Sequence, residues 1–149
     1  MKEWTKDAEI NAPIDQVWKL FEGSLQDMQK IMPNVVENQL ISETKDGIGT
    51  VYRQKYREGK RVQEYDVETL FYQNEIDFKK MKVGFTLANM FEITTTYEVR
   101  KLANNKTYFR YTTTNTPLKW FLKILLKLVN SDKVVVQFVE RVKRVAEAE

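Results

Sequence analysis

Glu64, Asp66 and Glu68 stand two residues apart in a stretch dominated by β-branched and aromatic residues, so on an extended chain their carboxylates share one face. Turned toward a cavity, one of them, Glu64 first, would have its pKa raised by desolvation and act as a general acid or base. Turned toward solvent, the same three would pair with Arg53, Lys55 or Arg57 on the neighbouring strand, as cross-strand charges do. Tyr52, Tyr56, Tyr65, Tyr97 and Tyr111 fall at alternating positions that aim them at one side of a sheet. Each buried phenol needs a hydrogen-bond partner. In the same register Gln54, Thr95 and Thr113 would orient the polar end of a bound molecule, or serve as satisfied core residues.

Other chemistries are ruled out by composition. The 149 residues contain no cysteine and no histidine, which removes disulfide frameworks, thiolate or imidazole metal sites, Ser-His-Asp triads and Cys-His dyads. Neither GxxxxGK[ST] nor GxGxxG occurs, and Gly47-Ile48-Gly49 reads as a turn that uses positive φ rather than as a phosphate cradle. No cofactor and no metal is implied. Twenty-four Lys and Arg against 21 Asp and Glu give a net charge of +3, too mild and interspersed for a nucleic-acid surface. The opening residues Met1 to Asp7 lack the apolar core of a signal peptide, and no apolar run approaches the ~18 residues that span a bilayer. The expectation is a soluble, cytoplasmic protein whose oligomeric state, monomer or dimer, is left open.

The elements that must position these groups follow from periodicity. With 42% hydrophobic and 30% charged residues and no linker or repeat, the chain reads as one domain over residues 1–149. Trp4 to Ile10 is extended, and Pro13 opens a helix whose apolar face is Ile14, Val17, Trp18 and Phe21 and which stops at Gly23. Ser24 with Asp27 resembles a capping box for a second short helix, ending before Pro33. From Val35 to Asn115 alternating residues predict an antiparallel meander, with turns at 45–47, 58–60, 72–74 and 103–105. Between Val62 and Tyr72 the alternation loses its parity, which predicts a bulge. The basic run Lys79-Lys80-Met81-Lys82 reads as a solvated strand end. Pro117 is expected to start a long helix reaching the C-terminus, re-capped near Asn130-Ser131-Asp132.

Within that helix, residues 118–129 are apolar around most of the circumference, with Lys119, Lys123 and Lys127 confined to an arc of about 80°. A helix packed on a sheet needs a stripe of only about 100° or somewhat more. The surplus is consistent with burial on two sides, with a roof over an apolar cavity, or with docking on a membrane surface or partner.

The run Ile10-Asn11-Ala12-Pro13-Ile14-Asp15-Gln16-Val17-Trp18, the Asp46-Gly47-Ile48-Gly49 turn before a strand, and the closing helix together resemble the START-like (Bet v 1-like, SRPBCC) superfamily, closest to its bacterial polyketide cyclase/dehydrase and lipid-transport branch. The resemblance implies an α+β helix-grip fold: a curved antiparallel sheet of about seven strands wrapped around a long C-terminal helix, with two short helices after the first strand. It implies a hydrophobic or lipid-like ligand between sheet and helix, and for some members ring closure or dehydration of polyketides. It carries no catalytic residue onto this chain.

The resulting expectation is a domain that stores, transports or senses a small hydrophobic or amphipathic molecule. Trp18, Phe21, Tyr52, Tyr56, Tyr65, Phe91, Ile93, Tyr111, Phe121 and Leu125 are the candidate lining residues, with Gln54, Thr95 and Thr113 as polar orienters. A cofactor-independent cyclase or dehydratase using Glu64, and a membrane or partner module using residues 118–129, are the alternatives. An interior filled solidly by side chains would leave nothing to bind.

Overall fold

The computed structural model describes residues 1–122 and 132–149. The chain runs through β1 (Lys2–Ile10), α1 (Ile14–Glu22), α2 (Leu25–Ile31), β2 (Val35–Ser42), β3 (Val51–Glu58), β4 (Arg61–Asn74), β5 (Phe78–Leu87), β6 (Phe91–Ala103), β7 (Lys106–Pro117) and α3 (Lys133–Ala148). The strands form one curved antiparallel sheet in the order β1-β7-β6-β5-β4-β3-β2, with α3 laid against β1, β7, α1 and α2. This is the helix-grip architecture. No helix among the described residues is long and apolar enough to cross a membrane.

Local chemistry fixes the elements. The Pro13 carbonyl accepts from the N–H groups of Gln16 and Val17, starting α1 at the residue after the proline. The Ser24 hydroxyl accepts from the Asp27 N–H at 3.1 Å and caps α2. The bulge falls in β4: Thr69 pairs with Val83 and Phe71 with Lys82, leaving Leu70 as the extra residue. Gly84 gives it room, since a Cβ there would lie 2.9 Å from Leu70 Cδ1. The bulge moves the aromatic alternation onto a new parity, so Tyr72 points inward like Tyr65 and Val67. It also lengthens β4 through Asn74 and places its turn at 75–77 instead of 72–74.

Two further sequence expectations change. Pro117 ends β7 opposite Phe91 rather than starting a helix, because the preceding Thr112–Thr116 run is β-forming and Leu118 extends the pairing by donating its N–H to Met90 O at 2.8 Å. Helical structure begins at 120. The Lys79-Lys80-Met81-Lys82 run lies inside β5, and Lys79 is buried, its ammonium donating to Asn74 Oδ1 at 2.5 Å and Glu75 O at 3.1 Å, with Asp15 at 3.6 Å. Its neighbours supply the partners that solvent would otherwise provide.

The solid core occupies one end. Ile10, Val17, Leu20, Ile31, Val99, Phe109, Val139 and Val142 are almost completely buried there. Each large side chain so buried contributes about 1.5–3 kcal/mol. Phe21 stacks on Phe109 at 5.5 Å and meets Tyr97 at 4.5 Å, marking the boundary of this core.

Candidate functional site

Beyond that boundary the inner side of the sheet does not close on α3. A cavity of about 1,430 Å³ lies between them, bounded among the described residues by β2 to β7, α1, α2 and the first turns of α3. Strand alternation sets its walls: Tyr52, Gln54 and Tyr56 from β3, Tyr65, Val67 and Thr69 from β4, Met81, Val83 and Phe85 from β5, Ile93, Thr95 and Tyr97 from β6, and Tyr111 and Thr113 from β7. Phe138 from α3 faces them, 4.7 Å from the Tyr111 ring, and Tyr65 stacks on Phe85 at 4.8 Å. The result is a half-open, aromatic-lined cavity with hydroxyl and amide groups set into its wall, the usual chemistry of a small-molecule pocket.

Burial acts on the tyrosines. It pushes the Tyr65 phenol up to about 12 and raises Tyr97 and Tyr111 as well, so all three are neutral hydrogen-bond donors at physiological pH. The Thr95 hydroxyl donates to the Tyr97 hydroxyl oxygen at 3.2 Å, and the Thr113 hydroxyl to Thr94 O at 3.2 Å.

At the rim, the Glu22 carboxylate accepts from the Trp18 indole N–H and from the Tyr72 hydroxyl, the latter at 2.5 Å. Burial, with the bond to Glu22 second, pushes Tyr72 up to about 12. Gly47, at φ 92°, seats the β2–β3 loop on the Tyr72 ring, where a Cβ would lie 3.0 Å from the ring carbons. The positive φ expected of the Gly47-Ile48-Gly49 turn is present at both glycines.

Nine sequence-predicted residues come together on this wall: Phe21, Tyr52, Gln54, Tyr56, Tyr65, Ile93, Thr95, Tyr111 and Thr113. Four do not join them. Trp18 shares the α1 face with Phe21 but packs in the solid core with its indole N–H on Glu22. Phe91 has the inward parity but lies at the sheet's end, between Leu87 and Pro117. Phe121 is 46% exposed, beside Trp120 at 76%. Leu125 lies outside the described residues, as does most of the 118–129 segment.

Glu64 is on the other side of the sheet. Its carboxylate, half exposed, is 3.7 Å from Arg53, which also holds Asp66 at 2.9 Å. Alternation sends Glu64 outward because Tyr65 points in, so the carboxylate triplet forms the solvated face rather than a cavity acid. Sequence reasoning left out Glu22, Tyr72, Phe85 and Phe138. The inward turn of Tyr72 depended on the bulge, whereas Phe138 falls with Val135, Val139 and Val142 on the apolar stripe of α3, a spacing that could have found it.

The family model for polyketide cyclase / dehydrase and lipid transport matches residues 1–147. The chain belongs to this family. Similar solved structures share its fold at low identity. The Zhui aromatase/cyclase from Streptomyces sp. R1128 has a TM-score of 0.71 and 13% identity, covering 98% of this chain and 93% of that one. Ara h 8.0201 has a TM-score of 0.68 and 10% identity, covering 99% of both chains. Norcoclaurine synthase from Thalictrum flavum, in complex with dopamine and hydroxybenzaldehyde, has a TM-score of 0.63 and 18% identity, covering 99% of this chain and 87% of that one. No curated protein matches the chain. Membership in the polyketide cyclase / dehydrase and lipid transport family and the Bet v 1-like helix-grip fold are thereby established, and the family's breadth admits either ligand binding or cyclase chemistry.

Proposed function

We propose that this family member binds a small hydrophobic or amphipathic molecule in the cavity between sheet and α3, for storage, transport or sensing. The observation that carries the reading is the 1,430 Å³ cavity itself, with room for a drug-sized or larger guest. Phe21, Tyr52, Tyr56, Tyr65, Ile93 and Tyr111 supply the apolar contact, and Gln54, Thr95 and Thr113 orient the guest. A guest burying roughly 300 Å² of apolar surface gains about 7 kcal/mol before the costs of lost motion and desolvation.

Native mass spectrometry of protein purified from its own host, followed by solvent extraction, tests the reading directly. The expected result is a mass increment that extracts as an apolar compound, with the stripped protein then taking up a hydrophobic fluorescent probe that the extract displaces. A stripped protein that takes up neither probe nor extract would refute it.

One observation favours cofactor-independent cyclase or dehydratase chemistry as a second reading: Glu22, a carboxylate on the cavity rim, held by two donors and retaining lone pairs for a substrate proton. Turnover of a polyketide-like substrate with a bell-shaped pH profile, lost in Glu22→Gln and kept in Glu64→Gln, is the expected signature. Equal loss in both variants would remove Glu22 from that role.

A further inference from the structure

We propose that the Arg141 guanidinium, with the Gln137 amide beside it, holds the carboxylate of an amphipathic guest, which then lies with its charged end where α3 meets the end of α2 and its apolar body against the aromatic wall. The proposal rests on the cavity-binding reading and adds to it the charge and the direction of the guest.

Val134, Gln137, Phe138 and Arg141 stand at i, i+3, i+4 and i+7 on α3, and all four line the cavity. Val134 and Phe138 suit an apolar guest, whereas Arg141 sets a full positive charge into the same stripe. Its side chain is half-buried, and one N–H goes to Ile31 O at 3.2 Å, at the C-terminal end of α2. That carbonyl takes a hydrogen and carries only a fractional negative charge. No carboxylate among the described residues lies within ion-pair distance of Arg141. Residues 123–131 contain no Asp or Glu, so they supply none either. Other cations around α3 are paired: Lys143 with Glu147, and Lys19 and Lys30 with Glu149. A guanidinium partly withdrawn from water, with N–H groups left over and no counter-charge, is unfavourable for folding alone and calls for an anion from the cavity.

The carboxylates that line the cavity stand elsewhere. Glu22 precedes α2, at the opposite end of that helix from Ile31, and Glu43 and Asp46 follow β2, whereas Arg141 touches the residues that lead into it. Glu58 accepts from the Gln63 amide at 3.0 Å. The cavity is therefore positive at Arg141 and negative toward the β2–β3 loop. Two carboxylate oxygens match the guanidinium fork, and the Gln137 amide, one turn earlier, reaches the same group. An ammonium there would meet like charge.

Three ten-carbon probes test this on the full chain: decanoate, decanamide and decylammonium, each titrated against the neutral dye N-phenylnaphthylamine bound in the cavity. At neutral pH decanoate is expected to displace the dye at about tenfold lower concentration than decanamide, as charge-assisted hydrogen bonds allow, with decylammonium weakest. Arg141→Gln should abolish that tenfold advantage and leave dye and decanamide affinities unchanged, which also reports that the variant folds. Arg141→Lys keeps the charge without the fork and should retain an advantage of about twofold to threefold. The ranking of the three probes on the unaltered protein decides the matter without any variant.

Decanoate binding no tighter than decanamide, or decylammonium binding tightest, would overturn the proposal. So would an equal loss of decanoate and decanamide in Arg141→Gln, which would make Arg141 a support of α2 alone. Dye and decanamide binding with no preference for decanoate leaves the cavity reading intact and removes only this one. If neither the dye nor any probe binds, both are refuted.

Discussion

Val83→Phe is the substitution that separates a hollow interior from a solid one. Val83 is half-buried on β5, with Thr69 and Thr95 beside it on the neighbouring strands and the cavity in front. The larger side chain adds four carbons, each worth about 0.8 kcal/mol if fully buried, and partial exposure in an open cavity reduces the gain to about 1–2 kcal/mol. In a close-packed core the same change would cost about 1–3 kcal/mol through displaced neighbours. The two cases therefore differ in sign. Scanning calorimetry of delipidated protein should show the melting temperature rising by about 3–5 °C for a chain of this size, while uptake of a hydrophobic probe falls at least tenfold because the ring occupies the guest's space. A melting temperature that drops by a similar amount, with probe uptake unchanged, would refute the reasoning about the cavity.

Other predictions concern the supports of the site. Gly47→Ala should destabilise by more than about 1 kcal/mol, because it combines a φ of 92° with a Cβ 3.0 Å from the Tyr72 ring. Gly59→Ala, at φ 61° with open space around it, should cost less, and urea denaturation compares the two. Glu149, held by Lys19 and Lys30, and Glu147, held by the Asn11 N–H and then Lys143, have pKa values depressed in the folded state. Their contribution is present above the unfolded carboxylate value near 4.3 and is lost as pH falls through the folded values, so the urea midpoint should decline below about pH 4.5, and less steeply in Glu147→Gln/Glu149→Gln. Tyr65 and Tyr72 titrate near 12 when folded, so the stability they contribute is complete below pH 10 and lost between there and 12. Phenolate absorbance in the native protein should lag that of the urea-unfolded chain across this window, and coincident curves would contradict the burial of these rings.

The fold was legible wherever one periodicity acted alone. Ile14, Val17, Trp18 and Phe21 define α1 unambiguously, and the alternation of Phe91 to Val99 defines the inner face of β6. Signals with two physical meanings were ambiguous. Proline opens helices and also ends strands, since both positions tolerate a missing N–H, and at Pro117 the second meaning holds. A run of lysines marks a solvated edge unless, as at Lys79, neighbouring groups ligate the ammonium. At the site, Tyr65 and Glu64 have opposite parity, so the inward turn of Tyr65 sends Glu64 outward to Arg53, closing the choice the sequence leaves open. Parity cannot say where along a strand the core stops and a cavity starts, which is why Phe91 and Trp18 share a predicted face with true wall residues yet lie beyond either end of the cavity.

That stopping point is nevertheless written in the cross-strand pairs of β6 and β7. Moving away from the closed end, the inward pairs are Val99 with Phe109, then Tyr97 with Tyr111, then Thr95 with Thr113. The side chains pass from wholly apolar, through apolar rings tipped with hydroxyls, to hydroxyls set close to the backbone. The same change runs across the neighbouring strands, with Thr69 beside Val83 and Gln54 beside Tyr65. In a solid core, each of these polar groups would need its own buried partner, and stability alone would favour aliphatic replacements. Placed together on one concave face, with Thr95 bonded to Tyr97 and Thr113 to Thr94 O, they suit a wall that faces a cavity rather than the middle of an aliphatic core.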